Sequence, residues 1–274
     1  MTVETMAPCP VVVSVNFDVE TLDAQVAGAA GLFGRYSYGR YGAREGLWRI
    51  LNALEECGVR ATFFVPADEA KRHRSLLMAI VAGGHEIAAQ GAPVFDKLPE
   101  GPADLALLAR TKAALADVIG IEPKGWRSTN GLLTVETMLE LADLGFLYDS
   151  TFQDDDRPYA FSDGKGRTLV ELPVWDYLSD STFYAPRHSH LRVQKVWTEE
   201  FAAMYAAGAY VPLTLHSRGD IGSSRPVRVQ VMADFLRHMA SHPGVHFYRA
   251  DELAALVAQT AVAEPIPGHG EHRA

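Results

Sequence analysis

Short apolar runs alternate with amphipathic segments along most of the chain. Residues 11–17 (VVVSVNF) are mostly β-branched and almost continuously apolar, which is typical of a strand buried on both faces. A helix face follows, with apolar residues at i, i+3, i+4 and i+7: Leu47, Ile50, Leu51 and Leu54. Strand and helix patterns alternate about seven times, which predicts parallel strands joined by helical crossovers in a barrel or a doubly wound sheet.

The same patterns give the remaining predicted elements. Strands are predicted over 59–65, 85–89, 124–128, 146–150, 169–174, 210–216 and 245–249. Helices are predicted over 76–81, 103–119, 134–144, 198–207, 227–240 and 250–261. No linker or repeat divides the chain, so residues 1–262 are expected to form one domain. Residues 263–274 are polar and rich in Pro and Gly, which predicts a disordered tail.

Composition narrows the class of protein. The 274 residues carry a formal net charge of −9, and their basic residues are scattered, which argues against nucleic acid or an anionic membrane as a partner. Only Cys9 and Cys57 are present, which indicates reduced thiols rather than a disulfide framework. The first residues do not resemble a signal peptide, and no apolar run approaches the ~20 residues of a membrane helix. We therefore expect a cytoplasmic protein.

Polar residues follow several predicted strands, where the fold would place a ligand-binding mouth. Asp18 and Glu20 follow the first strand at i and i+2, a spacing that turns both carboxylates to one side. Arg127 and His216 end two other strands. Each residue alone also fits a plain role: a solvated acidic pair, a surface arginine, a structural histidine. Together they predict a site for acid/base chemistry, in which a guanidinium orients a carboxylate.

Aromatic residues near the same strand ends suggest the walls of a pocket. Trp175 and Asp176 end another predicted strand, although core packing would explain the tryptophan equally well. A Gly/Tyr-rich segment over 22–42 has no periodicity, and loops of this length tend to be functional. Its tyrosines, Tyr36, Tyr38 and Tyr41, would line the pocket or pack in a subunit contact. The predicted substrate-binding residues are Gln90, Trp126, Trp175 and Tyr41.

Seven stretches, in chain order, resemble the polysaccharide deacetylase superfamily: residues 13–21, 41–70, 83–91, 123–131, 144–159, 169–180 and 213–225. They span most of the chain, and the likeness is greatest to the branch of cyclic-imide hydrolases and metal-independent allantoinases. The resemblance implies an α/β fold, a distorted (β/α)₇ barrel, in a homo-oligomer such as a dimer or tetramer. It also implies that Asp18 is the catalytic base, Arg127 the family arginine and His216 the general acid.

The metal site of that family is altered in this sequence. The family uses the acidic residue at the position of Glu20 and two histidines spaced HxxxH, a set that suits zinc. The two histidine positions are Gln90 and Val94 here. Val94 cannot ligate a metal, and Gln90 offers only a neutral amide oxygen. We therefore expect no metal and no cofactor, with zinc disfavoured.

These residues predict hydrolysis of a C–N bond in a small cyclic amide, imide or ureide. Asp18 would activate water and His216 would protonate the leaving nitrogen, while Arg127 would keep Asp18 ionised or stabilise charge on the substrate. Backbone N–H groups of the Gly-rich loop or of 128–131 would stabilise the oxyanion. One alternative is a non-hydrolytic acid/base enzyme of a biosynthetic pathway, such as an isomerase, dehydratase or cyclase. Another is an inactive fold that acts as a binding protein.

Overall fold

The computed structural model describes residues 6–21, 23, 34, 37–91, 102–129 and 131–266. The strands are β1 Cys9–Asn16, β2 Thr62–Pro66, β3 Glu86–Gln90, β4 Gly125–Arg127, β5 Tyr148–Asp149, β6 Tyr159–Ser162, β7 Thr168–Glu171, β8 Val211–His216, β9 Val245–Tyr248 and β10 Glu264–Pro265. The α-helices are α1 Tyr38–Tyr41, α2 Leu47–Glu56, α3 Ala67–Arg72, α4 Arg74–Ala82, α5 Pro102–Ile119, α6 Val135–Asp143, α7 Asp180–Tyr184, α8 His190–Ala207, α9 Pro226–Ala240 and α10 Ala250–Thr260. A π-helical stretch, Gly42–Gly46, joins α1 to α2, and a 3₁₀ turn, Asp176–Leu178, precedes α7.

One sheet organises the molecule and confirms the predicted α/β fold. Its strands run in the order β10-β6-β7-β5-β4-β3-β2-β1-β8, and β9 pairs with the first half of β1. All pairs are parallel except β6 with β7, an antiparallel hairpin that the apolar pattern does not reveal. A parallel bridge between Ser179 and Thr214 brings the chain after β7 against β8. The two ends of the sheet are thereby drawn towards each other.

The alternation of side chains along β1 explains both the core and the site. Val11, Val13 and Val15 are fully buried in the main core, where the helices pack against the sheet. The opposite face carries Val12, which belongs to a second apolar cluster, and then Ser14 and Asn16. The face opposite the main core therefore changes from apolar to polar towards the carboxyl end of the strand.

Several elements differ from the prediction. Helix α3 was not predicted, because the segment 67–72 is mostly polar. Helix α8 begins at His190, before the predicted start at 198. Strand β10 lies inside the segment predicted as a disordered tail and pairs with β6. The rest of that segment, 267–274, lies outside the described residues.

The two cysteines and the helix lengths also bear on the sequence-based expectations. Cys9 is buried, Cys57 is half-buried, and both are free thiols. Within the described part of the chain, no helix has the length and apolar character needed to cross a bilayer.

Candidate active site

The pairing of strands β1 and β8 places two pairs of polar side chains opposite each other. Ser14 lies opposite Thr214, with their hydroxyl oxygens 3.2 Å apart, and Asn16 lies opposite His216. The Asn16 amide nitrogen Nδ2 is 3.1 Å from Nε2 of His216. The parallel register therefore places a histidine beside an amide at the carboxyl end of both strands.

His216 is held by a carboxylate that the sequence patterns do not indicate. Asp180 begins helix α7, and its Oδ1 lies 2.6 Å from Nδ1 of His216. Its Oδ2 accepts the backbone N–H groups of His216 and Ser223, at 3.0 and 2.7 Å. Burial works against the charged imidazole, but Asp180 and then Asp18 outweigh it, so the pKa of His216 is raised above its usual value.

Arg127, at the end of β4, is anchored within the sheet rather than beside Asp18. Its Nε donates to the carbonyl of Ser150 at 2.9 Å, and its Nη1 donates to Ser14 Oγ and Asn16 Oδ1 at 2.9 and 3.0 Å. The guanidinium also stacks on the Phe64 ring, 3.8 Å from the ring centroid. Burial lowers the pKa of Arg127 to about 10, which leaves it charged near neutral pH.

Asp18 is a buried carboxylate with an oxygen left free. It follows the end of β1, and its Oδ1 accepts no hydrogen bond from the residues that the structure describes. Burial raises the pKa of Asp18, and the nearby charges of His216 and Arg218 oppose that rise. His216 first, and then Arg218, itself paired with Asp23 at 3.0 Å, therefore favour ionised Asp18. The expectation that Arg127 does so is not supported by its contacts.

A cavity of about 360 Å³ opens beside His216 and Arg127. Hydroxyl side chains dominate its lining: Ser128, Thr129, Ser150, Thr151, Ser179, Ser181 and Thr214. Asn16, Trp175 and Asp176 also line it, so Trp175 is the predicted substrate-binding residue that the structure places at this cavity. The Ser128 N–H, expected as an oxyanion donor, instead donates to Thr151 Oγ1 at 3.0 Å.

Three residues predicted to bind substrate do not line this cavity. Trp126 is 2 % exposed and packs edge-on against Phe146 in the main core, because it faces away from Arg127 on the strand. Tyr41 donates to the carbonyl of Ser224 at 3.1 Å and stacks under a neighbouring guanidinium. Gln90 is buried, and its Oε1 has no hydrogen-bond partner among the described residues. Tyr36 lies outside them.

Glu20 belongs to a cluster with two residues of the α3 region. Its Oε2 lies 3.5 Å from His73 Nε2, and Glu69 Oε2 lies 3.4 Å from the same nitrogen. The other oxygen of Glu69 accepts the N–H of Glu20, at 2.6 Å, and both donors of Thr21. The nearby Glu69 carboxylate raises the pKa of His73 against the opposing effect of burial. Glu20 thus has an ion-pair role in the described structure.

The residues that the sequence resemblance places at the metal positions fit a divalent ion poorly. Gln90 supplies a neutral amide oxygen, Glu20 is turned towards His73, and position 94 lies outside the described residues. Across the described ranges, no three His, Cys, Asp or Glu side chains converge as a metal site would require. We therefore derive no chemical step through a metal.

The structure adds residues that the sequence analysis missed. Asn16 is two positions before Asp18, so the alternation of the strand would have placed it on the same face. Asp180 carries no such signal, because its contact with His216 joins segments 36 residues apart. Glu69 and His73 are spaced one helical turn apart, but the short helix that carries them was not predicted.

Comparison with known proteins places the chain in a family. A model of the family described as polysaccharide deacetylase matches residues 36–148. A crystal structure from Mycobacterium smegmatis, assigned as a polysaccharide deacetylase, is 30 % identical with a TM-score of 0.86, covering 97 % of this chain and 96 % of that one. No curated protein sequence gives a significant match.

Two more distant structures show the same fold. One, from Pseudomonas aeruginosa PAO1, has the same assignment and is 24 % identical, with a TM-score of 0.79 over 93 % of this chain and 92 % of that one. The other is the PuuE allantoinase, also 24 % identical with a TM-score of 0.79, over 93 % and 91 % of the two chains. The chain therefore belongs to the polysaccharide deacetylase family and has its barrel-type α/β fold.

Proposed function

We propose that the protein is a hydrolase that opens a C–N bond in a small cyclic amide, imide or ureide. One observation carries this proposal. A buried carboxylate with a free oxygen, Asp18, lies within electrostatic reach of His216, whose other ring nitrogen is 2.6 Å from Asp180. A base and an acid of this kind are what water-mediated cleavage of an amide requires.

The comparisons support the class of reaction. The 30 % identical structure is assigned as a deacetylase, and one of the structures with the same fold is an allantoinase. Both names refer to hydrolysis, and allantoin is a cyclic ureide. The cavity of about 360 Å³ has many hydroxyl groups in its lining and a tryptophan wall, which suits a small, polar, planar ring better than a polymer chain.

The chemistry would run through the residues of this chain. Asp18 takes a proton from water, and the resulting hydroxide attacks the ring carbonyl carbon to give a tetrahedral oxyanion. His216 then donates a proton to the ring nitrogen as the C–N bond breaks. The product carries a new carboxylic acid and a free N–H. Arg127 lines the cavity with a buried positive charge, which would favour the oxyanion.

The proposal includes independence from a bound metal ion. Its support is the chemistry of the donor set, in which an amide replaces one histidine and valine replaces the other. Cyclic imides and ureides are more electrophilic than a simple acetamide, so less Lewis-acid assistance is needed. The raised pKa of Asp18 makes it a stronger base, and Asp180 and Asp18 raise the pKa of His216, which favours its protonated form once substrate is bound.

The test is a ring-opening assay on succinimide-like and hydantoin-like compounds, with and without EDTA. We expect turnover that EDTA does not change and that Asp18→Asn reduces by a factor of ~10² to 10⁴. Asp156→Asn, a change at an exposed aspartate, is the matched control. Loss of activity in EDTA, restored by zinc, would overturn metal independence. Failure to open any of these rings, in protein that is folded, would favour a non-hydrolytic reaction or a binding role.

A further inference from the structure

The orientation of the Asn16 side chain is determined by its neighbour. Arg127 has only N–H donors, and one of them lies 3.0 Å from the Asn16 oxygen Oδ1. The guanidinium cannot turn away, because the Ser150 carbonyl, the Ser14 hydroxyl and the Phe64 ring hold its other sides. Reversing the amide would set its NH₂ group against a buried cation. The amide oxygen of Asn16 therefore faces Arg127, and its nitrogen Nδ2 faces His216.

This orientation determines where His216 carries its proton. The Nδ2 of Asn16 is a donor and lies 3.1 Å from Nε2 of His216, so Nε2 must accept. The other ring nitrogen, Nδ1, lies 2.6 Å from Asp180 and must carry hydrogen. A chain of hydrogen bonds thus runs in one direction, from Arg127 through Asn16 and His216 to Asp180.

We propose that Asn16, fixed by Arg127, is a positioning residue that holds His216 neutral in the unliganded site until a bound ligand displaces the amide. Asn16 lines the cavity, so an entering ring can take its place at Nε2. Release of Nε2 then lets His216 take up a proton from solvent water at Nε2, and the imidazolium gives that proton to the leaving nitrogen. This inference rests on the proposed function for the use of that proton, but not for its location.

The charges that face His216 act separately from this hydrogen bond. Asp180 from α7 and Asp18 after β1 favour the imidazolium, whereas Arg127 from β4 disfavours it. Protonated His216 would present an N–H to the Asn16 NH₂ group, two donors face to face inside the sheet. Such a pair leaves a buried donor unsatisfied, which disfavours the protonated ring. Asn16 therefore opposes the effect of the carboxylates.

The experiment is a ¹⁵N and ¹H NMR titration of the histidine rings in the unliganded protein. The His216 signals are assigned by their absence in His216→Gln. Asn16→Ala removes the donor, and we expect the pKa midpoint of His216 to rise, which corresponds to a gain in proton affinity of about threefold. Asn16→Asp places an acceptor at Nε2, and we expect a rise of about tenfold or more. Asn52→Asp, at an exposed asparagine of α2, should leave the midpoint unchanged.

The order of the midpoints decides the proposal. A wild-type midpoint equal to or above that of Asn16→Ala would overturn it, and so would an unchanged midpoint in a folded Asn16→Asp variant. If neither variant folds, a wild-type ring with hydrogen on Nε2 rather than Nδ1 in its neutral form is enough to overturn it. No substrate is used, so a failed ring-opening assay would count against the proposed function and not against this inference.

Discussion

Two buried carboxylates at opposite ends of the strands have contrasting surroundings. Glu86, at the start of β3, accepts hydrogen bonds from the Thr62 hydroxyl at 2.6 Å, the Asp251 N–H at 3.0 Å and the Tyr148 hydroxyl at 3.0 Å. Asp18, beyond the end of β1, keeps one oxygen without a donor among the described residues. Burial raises the pKa of both side chains.

The difference separates a structural carboxylate from a candidate catalytic one. Burial and a raised pKa do not distinguish Glu86 from Asp18, because both are withdrawn from water. Hydrogen bonding does, since a carboxylate with every donor in place contributes to stability, whereas Asp18 keeps a buried oxygen without a described donor, although it does not line the cavity. The fold therefore has a fully hydrogen-bonded carboxylate at the amino end of the strands and an incompletely hydrogen-bonded one at the carboxyl end.

Asp180 tests this distinction most severely, and its substitution has the largest effect that we predict. Both of its oxygens are used, as in Glu86, yet it holds the proposed acid. Asp180→Asn should reduce ring opening by a factor of ~10² to 10⁴, because the amide no longer fixes the protonation of Nδ1 in His216. Rate measurements at saturating substrate check this.

Circular dichroism and thermal melting show whether the Asp180 variant has kept its fold. Asp156→Asn is again the exposed control. Activity within a few-fold of wild type would mean that Asp180, whose oxygens both accept hydrogen bonds, has only a structural role, as Glu86 has. The assignment of His216 as the acid would then lose its main support.

The next prediction concerns Glu86 itself. Glu86→Ala leaves the donors of Thr62, Tyr148 and the Asp251 backbone without an acceptor, so we expect a loss of about 3 kcal/mol in the free energy of unfolding. Urea denaturation measures this loss, with Glu55→Ala at an exposed site as the control. Ring opening by the remaining folded protein should be unchanged. A selective loss of activity would contradict the separation of the two ends.

The two ends were unequally predictable from the sequence. At the carboxyl end, the rule that ligand sites lie beyond parallel strands indicated Asp18, Arg127 and His216. The contacts of Asp180 could not be predicted, because they depend on how an irregular segment packs against β8. The Glu86 network was not predicted either, since its donors come from β2, β5 and α10, which are distant in the chain.

The error at Trp126 is of another kind, because the sequence contained the signal against it. Adjacent residues of a strand face opposite sides, so a tryptophan beside an inward-facing Arg127 must point to the other face. The same rule would have included Asn16, two residues before Asp18. Most strands and helices were predicted correctly for the complementary reason, that burial on one or both faces leaves a periodic trace.

A third prediction extends the amino-end network to pH. His85 accepts the Ala61 N–H at 3.0 Å, and burial, then Arg249 and Arg60, lowers its pKa to about 4. A histidine with a depressed pKa in the folded state contributes stability above its unfolded pKa of about 6.5, and that contribution is lost as pH falls. Between pH 7 and pH 5 the loss should be about 2 kcal/mol.

Glu86 titrates in the opposite sense, so the comparison must be made against a variant. Its raised pKa stabilises the fold at low pH, and this contribution is lost as pH rises. We therefore compare urea denaturation of wild type and His85→Gln at pH 7 and pH 5. The difference between the two proteins should shrink by about 2 kcal/mol at the lower pH. If the stability difference between the two proteins were the same at both pH values, His85 would not be a buried hydrogen-bond acceptor with a lowered pKa.

The smallest predicted effect is a gain in stability at the mouth. Asp18→Asn removes a buried charge with an unsatisfied oxygen, while it also removes attraction to His216 and Arg218. Because the pKa of Asp18 is raised in the folded state, the ionised carboxylate destabilises the fold only as pH rises through that pKa. We expect Asp18→Asn to be more stable than wild type at pH 8 by about 1 kcal/mol and equal to it near pH 4. Urea midpoints at the two pH values measure this difference, with Asp156→Asn as the control. A variant that is less stable than wild type at pH 8 would mean that the residues around Asp18 stabilise its charge as fully as the hydrogen-bond donors around Glu86 stabilise that carboxylate. The contrast between the two carboxylates would then fail.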